Sequence, residues 1–107
     1  METRKTKRLK IFLSHPMTGL SESEVLMIRE RALKHLKNSY GEVELLDNYY
    51  HKNAPDNAGR LWYLGTSIRM METADIIYFC NGWENANGCK VEYNICKLYG
   101  LRTEFEK

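Results

Sequence analysis

Glu92 is the residue of this chain best placed for chemistry. It closes the stretch Gly82-Trp83-Glu84-Asn85-Ala86-Asn87-Gly88-Cys89-Lys90-Val91-Glu92. The run before it, Asp75-Ile76-Ile77-Tyr78-Phe79-Cys80, reads as a buried strand, and the segment after Asn87 has the spacing of an amphipathic helix. A strand, a turn of small residues and a helix with a carboxylate near its start make a ligand crevice in an open α/β sheet, because ligands settle outside the carboxyl ends of the strands. Glu92 follows Gly88 by four positions, so both share a helix face, and the missing side chain at Gly88 leaves room for a ligand. Val91, Ile95 and Leu98, with Tyr99, form a different, apolar stripe, which predicts Glu92 at the edge of the buried face rather than in its middle. From spacing alone two readings stand. Glu92 is a carboxylate facing a ligand, or it is an exposed glutamate that favours the helix N-terminus by a few tenths of a kcal/mol up to about 1 kcal/mol.

The elements that must position this residue alternate along the chain. Leu9 to Ser14 is a short apolar strand, and residues 15–19, with Pro16 and Gly19, form a loop. Ser21-Glu22-Ser23-Glu24 is a capping box that opens a helix with Val25, Ile28, Ala32, Leu33 and Leu36 at helical spacing, running to about Asn38, with Gly41 ending the turn after it. Val43 to Asp47 is a second strand, and residues 48–59 are a polar, turn-rich loop long enough to be functional or disordered. Leu61, Leu64, Ile68 and Met71 predict a second helix over 58–73. The third helix is expected to start at Asn87 as N-cap and to end at Gly100, followed by a last strand over 101–105. The order βαβαβαβ predicts one α/β domain over residues 1–107, a parallel sheet of about four strands with right-handed crossovers and helices on both faces. In it, the loops Ser14 to Gly19, Asp47 to Asp56 and Asn81 to Gly88 meet at one end of the sheet. Helices that follow such loops offer free N–H groups and a positive dipole end to an anion.

Composition narrows the function classes. With 107 residues, 43% hydrophobic and 28% charged, the chain is one globular domain. A net charge of +2 is too small to call for a nucleic-acid partner, and Arg4, Lys5, Lys7, Arg8 and Lys10 read as a solvated basic arm over residues 1–8. No apolar run has the length of a membrane span, and the basic start lacks the apolar core of a signal peptide. Cys80, Cys89 and Cys96 form no C-x-x-C pair, and His15, His35 and His51 have no ligand spacing to them, so a reduced cytoplasmic protein without a metal site is expected. Neither G-x-G-x-x-G nor a Walker lysine motif is present.

Lys10-Ile11-Phe12-Leu13-Ser14-His15-Pro16-Met17-Thr18-Gly19, then Asp75-Ile76-Ile77-Tyr78, then Gly82-Trp83-Glu84 and Gly88-Cys89-x-x-Glu92 together resemble the nucleoside 2-deoxyribosyltransferase superfamily, in its short bacterial and phage branch. That branch carries Ser-Gly-Pro-Met-Thr-Gly after its first strand and, later, Trp-Glu-x-Ser-x-Gly-Ala-x-x-Glu. The resemblance runs from Lys10 to about Leu101. It implies a Rossmann-like (flavodoxin-like) sheet and a protein that cleaves or transfers at the N-glycosidic bond of a nucleoside or nucleotide. Glu92 falls on the family's nucleophile, which forms a sugar ester in the manner of a retaining glycosidase. Ser14, His15, Pro16, Met17, Thr18 and Gly19, with Asn87 and Gly88, would hold the sugar or a 5′-phosphate, and Trp83 would stack on a base or pack against the neighbouring loop. The resemblance implies no organic cofactor and no metal, and a homo-oligomer for which Trp62 and Tyr63 are interface candidates beside core packing. Tyr49, Tyr50 and His51 would contact a base or form plain surface loop, and Asp75 reads as structural.

The departures define the alternatives. His15 stands where the family has glycine, Phe12 where its transferases often have a tyrosine that holds the nucleophile, Ser67 where it has an aspartate and Ala86 where it has a serine. His15 would serve as a donor or acid in their place, or as a loop residue without that role. A nucleotide-binding module that kept the pocket and lost the chemistry is the second reading. A Toll/interleukin-1-receptor-type domain, suggested by Ile11 to His15, is the third, and the Gly88 to Glu92 spacing fits it less well.

Overall fold

The computed structural model describes residues 8–46 and 54–107. Residues 1–7 of the basic arm, and Tyr49, Tyr50 and His51 of the long loop, lie outside the described residues. The elements run β1 Leu9–Ser14, α1 Glu22–Tyr40, β2 Val43–Leu45, α2 Arg60–Met71, β3 Ile76–Phe79, a short 3₁₀ turn Trp83–Asn85, α3 Asn87–Tyr99 and β4 Thr103–Phe105. The four strands form one all-parallel sheet in the order β2-β1-β3-β4, flanked by three helices.

The strand alternation sorts the core into two layers. Ile11 and Leu13 of β1, with Ile76 and Tyr78 of β3, pack against Ala32 and Leu36 of α1. Their neighbours in sequence, Phe12, Ile77 and Phe79, point the other way, toward Met71 of α2 and Cys96 of α3. Each fully buried aliphatic or aromatic side chain of these layers contributes roughly 1.5–3 kcal/mol. Ser14 continues the Phe12 face one step further, opposite Phe79 in register, so it rises on the α3 side of the sheet. Asp75 has the structural role: its carboxylate accepts the Lys10 N–H at 2.7 Å and its own N–H donates to the Lys10 carbonyl at 2.7 Å, which locks the start of β3 to β1.

Three expectations about the helices need correction. Asn87 is not the N-cap of α3; that position is Ala86, whose methyl caps nothing. The apolar stripe of α3 faces the core only in part: Ile95 is half-buried against the Phe12 and Phe79 layer, but Leu98 is 80% exposed, Tyr99 and Val91 are exposed, and the buried residues are Cys89, Glu92 and Cys96. In α2, Leu61 is exposed, and Ser67 shares the buried side with Met71. In α2 the rest of the expected apolar face holds, with Met71 buried and Ile68 packed on the same core layer, whereas in α3 cysteines take two of the three buried places.

Candidate functional site

Strands β1 and β3 are neighbours, but the chain leaves β1 toward α1 on one face and leaves β3 toward α3 on the other. A divergence of this kind opens a crevice at the carboxyl ends of the two strands. Here it is a cavity of about 720 Å³. Its walls come from the β1 loop (His15 to Thr18), the β3 turn (Gly82 and Asn85 to Cys89), one face of α2, and Glu92. The two loops meet at Gly82, which has φ +92°; a Cβ there would come within 3.3 Å of the Pro16 ring, so both the backbone conformation and the close approach favour glycine.

Glu92 is 7% exposed and sits in the middle of the buried face of α3, one turn after Cys89 and one turn before Cys96. The expectation that it lies at the edge of that face is therefore corrected. The Ser14 hydroxyl donates to Glu92 Oε1 at 2.6 Å. Among the described residues, Oε2 accepts no hydrogen bond. Burial pushes the Glu92 carboxyl up to about 7, against the opposing effect of the Ser14 hydrogen bond. The site therefore holds a carboxyl poised between its two protonation states near neutral pH. Burial also raises the neighbouring Cys89 thiol to about 11, so it faces the cavity as a neutral group.

Ser14 resolves the question raised by Phe12. Phe12 is buried in the core with Cys96, one layer below the site, and offers no hydroxyl. The next residue on the same strand face, Ser14, supplies the hydroxyl that meets the carboxylate instead.

His15 is buried and both ring nitrogens are engaged. Nδ1 donates to the Pro16 carbonyl at 3.1 Å, which leaves Nε2 to accept from Arg29 Nη1 at a long 3.5 Å. Burial lowers its pKa and the adjacent Arg29 cation lowers it further, so the neutral ring is favoured. His15 braces the β1 loop; the donor-or-acid role is not the one its contacts describe.

The remaining expected residues divide. Pro16, Met17, Thr18, Asn87 and Gly88 line the cavity with His15 and Glu92. A Cβ at Gly88 would meet Leu64 of α2 at an ordinary 3.8 Å, so the position is open without being obligatory for glycine. Gly19, at φ +83°, turns the chain outside the lining. Trp83 is a correction: its ring packs with Phe79, Tyr93 and Phe105 at centroid distances of 5.3, 4.8 and 5.7 Å, in an aromatic cluster away from the cavity. Strand β4 supplies Phe105 to this cluster, beside Phe79 of β3 and Tyr93 of α3.

Sequence reasoning missed most of the wall made by α2: Arg60, Tyr63 and Leu64 join Ser67, the position where the resembled family has an aspartate. Their spacing of three, four and seven is a helical face, visible once a polar stripe is sought beside the apolar one. No group of three His, Cys, Asp or Glu among the described residues has metal-binding geometry, and no helix among them is long and apolar enough to cross a membrane.

The chain belongs to a protein family described as a domain of unknown function (DUF4406), whose match covers residues 9–105. No curated protein and no solved structure matches it.

Proposed function

We propose that this protein cleaves or transfers at the N-glycosidic bond of a deoxynucleoside or deoxynucleotide, with Glu92 as nucleophile. The observation that carries this reading is a buried carboxyl on the floor of an open cavity, held through one oxygen by Ser14 and free of described partners at the other. Ionised Glu92 attacks C1′ of the sugar through Oε2. The C1′–N bond breaks with its electrons on the departing base, which takes a proton from solvent. An acceptor base or water then attacks C1′, loses its proton, and displaces the carboxylate. The Ser14 hydroxyl steadies the negative charge on Oε1 at both ends of this cycle. No second carboxylate is among the described residues lining the cavity, and a nucleobase, which delocalises the electrons it receives, depends less on a general acid than an alkoxide does. The reading carries with it a small nucleoside or nucleotide ligand, a homo-oligomer and a reduced cytoplasmic setting, the last in keeping with three free cysteines.

The test is to incubate the protein with deoxynucleosides, deoxynucleoside monophosphates and an acceptor base, and to follow free base by chromatography. Wild type is expected to release base at a rate that rises with pH through about 7, and Glu92→Ala to lose at least about a thousandfold. Wild type and Glu92→Ala behaving alike, with no turnover, would end the catalytic reading. The second reading, a binding module, is favoured by Ala86 and Ser67, which line the cavity with a methyl and a hydroxyl where the superfamily that the sequence resembles has a hydroxyl and a carboxylate. Its signature is a ligand that raises the melting temperature and is recovered unchanged.

A further inference from the structure

Helix α2 grades the cavity from mouth to floor. Arg60 and Tyr63 are exposed, Leu64 is half-buried and Ser67 is buried, all on the face that lines the cavity. Arg60 and Ser67 are separated by about 10 Å along the helix axis. The guanidinium makes no hydrogen bond or ion pair with any described residue. Among the described lining residues the charged side chains are Arg60 at the mouth and Glu92 below, since the neutral forms of His15 and Cys89 are the favoured ones. A neutral ligand seated over Glu92 would leave this cation unused. A ligand with an anionic group toward the mouth, a planar ring against Tyr63 and Leu64, and its reactive carbon beside Glu92 would use the whole stripe.

We propose that Arg60 is a specificity residue that reads a phosphate ester, so that the substrate is a deoxynucleoside monophosphate rather than a free deoxynucleoside. This deepens, and rests on, the function proposed above. A guanidinium suits the role because it presents two parallel N–H groups to two oxygens of a phosphate and stays charged at any pH of interest. The exposed setting of Arg60 lets it remain solvated until the ligand arrives, so little desolvation opposes binding.

The experiment is titration calorimetry of wild type, Arg60→Gln and Arg60→Lys, each with a deoxynucleoside, its 5′-monophosphate, its 3′-monophosphate and inorganic phosphate. Wild type is expected to bind one of the two monophosphates about tenfold or more tightly than the nucleoside, and the preferred isomer reports which sugar oxygen points to the mouth. Arg60→Gln should close that gap, and Arg60→Lys should recover part of it. Equal affinity for nucleoside and both monophosphates in wild type, or a preference unchanged in Arg60→Gln, overturns the inference. Absence of binding by every ligand overturns it together with the reading beneath it. Base release is followed separately in wild type and Glu92→Gln: a monophosphate preference in a wild type that releases no base leaves Arg60 in its role and removes only the catalytic reading.

Discussion

Helix α1 buries Ala32 and Leu36 against the sheet, with Val25 and Arg29 also buried, opens on a complete capping box at Ser21 and Glu24, and ends on a basic turn. Helix α3, on the opposite face, opens on an alanine, buries Glu92 between two cysteines, and turns Leu98 and Tyr99 to solvent. The two helices have the same kind of place in the fold, each following a strand that ends at the cavity. What separates them is the use of the buried face. In α1 that face supports the sheet through Ala32 and Leu36, and its one buried charge, Arg29, is turned to the loops behind the site. In α3 it carries the group available for chemistry, and small cysteines on either side let it approach Ser14. Helix α1 also braces the loops of the site from behind. Its Arg29 donates to His15 and to the Leu46 carbonyl at the end of β2, while its Arg31 pairs with Glu106, whose carboxylate accepts the Asn81 N–H at 2.7 Å at the start of the β3 turn.

The sharpest way to break this contrast is to truncate one leucine on each helix. Leu36→Ala, in the α1 layer, is expected to cost about 2–5 kcal/mol, because it opens a cavity among Ile11, Tyr78 and Val43. Leu98→Ala should lie within about 0.5 kcal/mol of wild type, as an exposed position does. Urea unfolding of both variants decides it. A comparable loss at Leu98 would mean that the outer face of α3 is covered in solution and that the contrast between the helices holds only for the isolated chain.

The second test removes the charge from α3. The folded Glu92 carboxyl, raised from 4.5 to about 7 by burial, holds its proton more tightly than the unfolded chain does. Its protonation therefore supports the fold fully below pH 4.5, and that support is lost as the pH rises through about 7. Glu92→Gln keeps an oxygen for the Ser14 hydroxyl and cannot ionise. It should match wild type near pH 4 and exceed it at pH 8 by roughly 3 kcal/mol. Melting curves across that range measure the difference. A gap that stays constant with pH would show that Glu92 is ionised in the folded state throughout, with its charge met by the site.

The same two helices explain what could be read in advance. The apolar runs Ile11 to Leu13 and Ile76 to Phe79 and the capping box at Ser21 are local signals, and the structure places strands and a helix on them. They also delimit the cavity, because the ends of two adjacent parallel strands locate it. The face of α3 was not legible from apolar counting, since Val91, Ile95 and Leu98 carry the stronger apolar signal. Cys89, Glu92 and Cys96 are spaced as a helical face too, and treating cysteine as a buried residue type would have put Glu92 in the middle of that face. The packing partners of Trp83 were not legible for another reason. Its partners Tyr93 and Phe105 come from α3 and from the distant strand β4, and their meeting depends on the sheet order, which the chain order alone does not specify.

The smallest expected effect concerns the helix starts. The Ser21 hydroxyl accepts the Glu24 N–H at 3.1 Å and the Glu24 carboxylate accepts the Ser21 N–H at 2.8 Å, so Ser21→Ala should lower stability by about 1 kcal/mol. At α3 the first-turn N–H groups receive no oxygen from the Ala86 side chain, and the backbone there is already extended, with φ −115° and ψ 123°, as a capping residue requires. Ala86→Ser should therefore add up to about 1 kcal/mol in urea unfolding without altering the fold. Such a gain would show that stability was available at this position through one substitution, and that the open start of α3 belongs to the cavity rather than to the core. If Ala86→Ser adds nothing while Ser21→Ala costs its full amount, the first turn of α3 already has other partners, and the two helices differ only in the faces they bury.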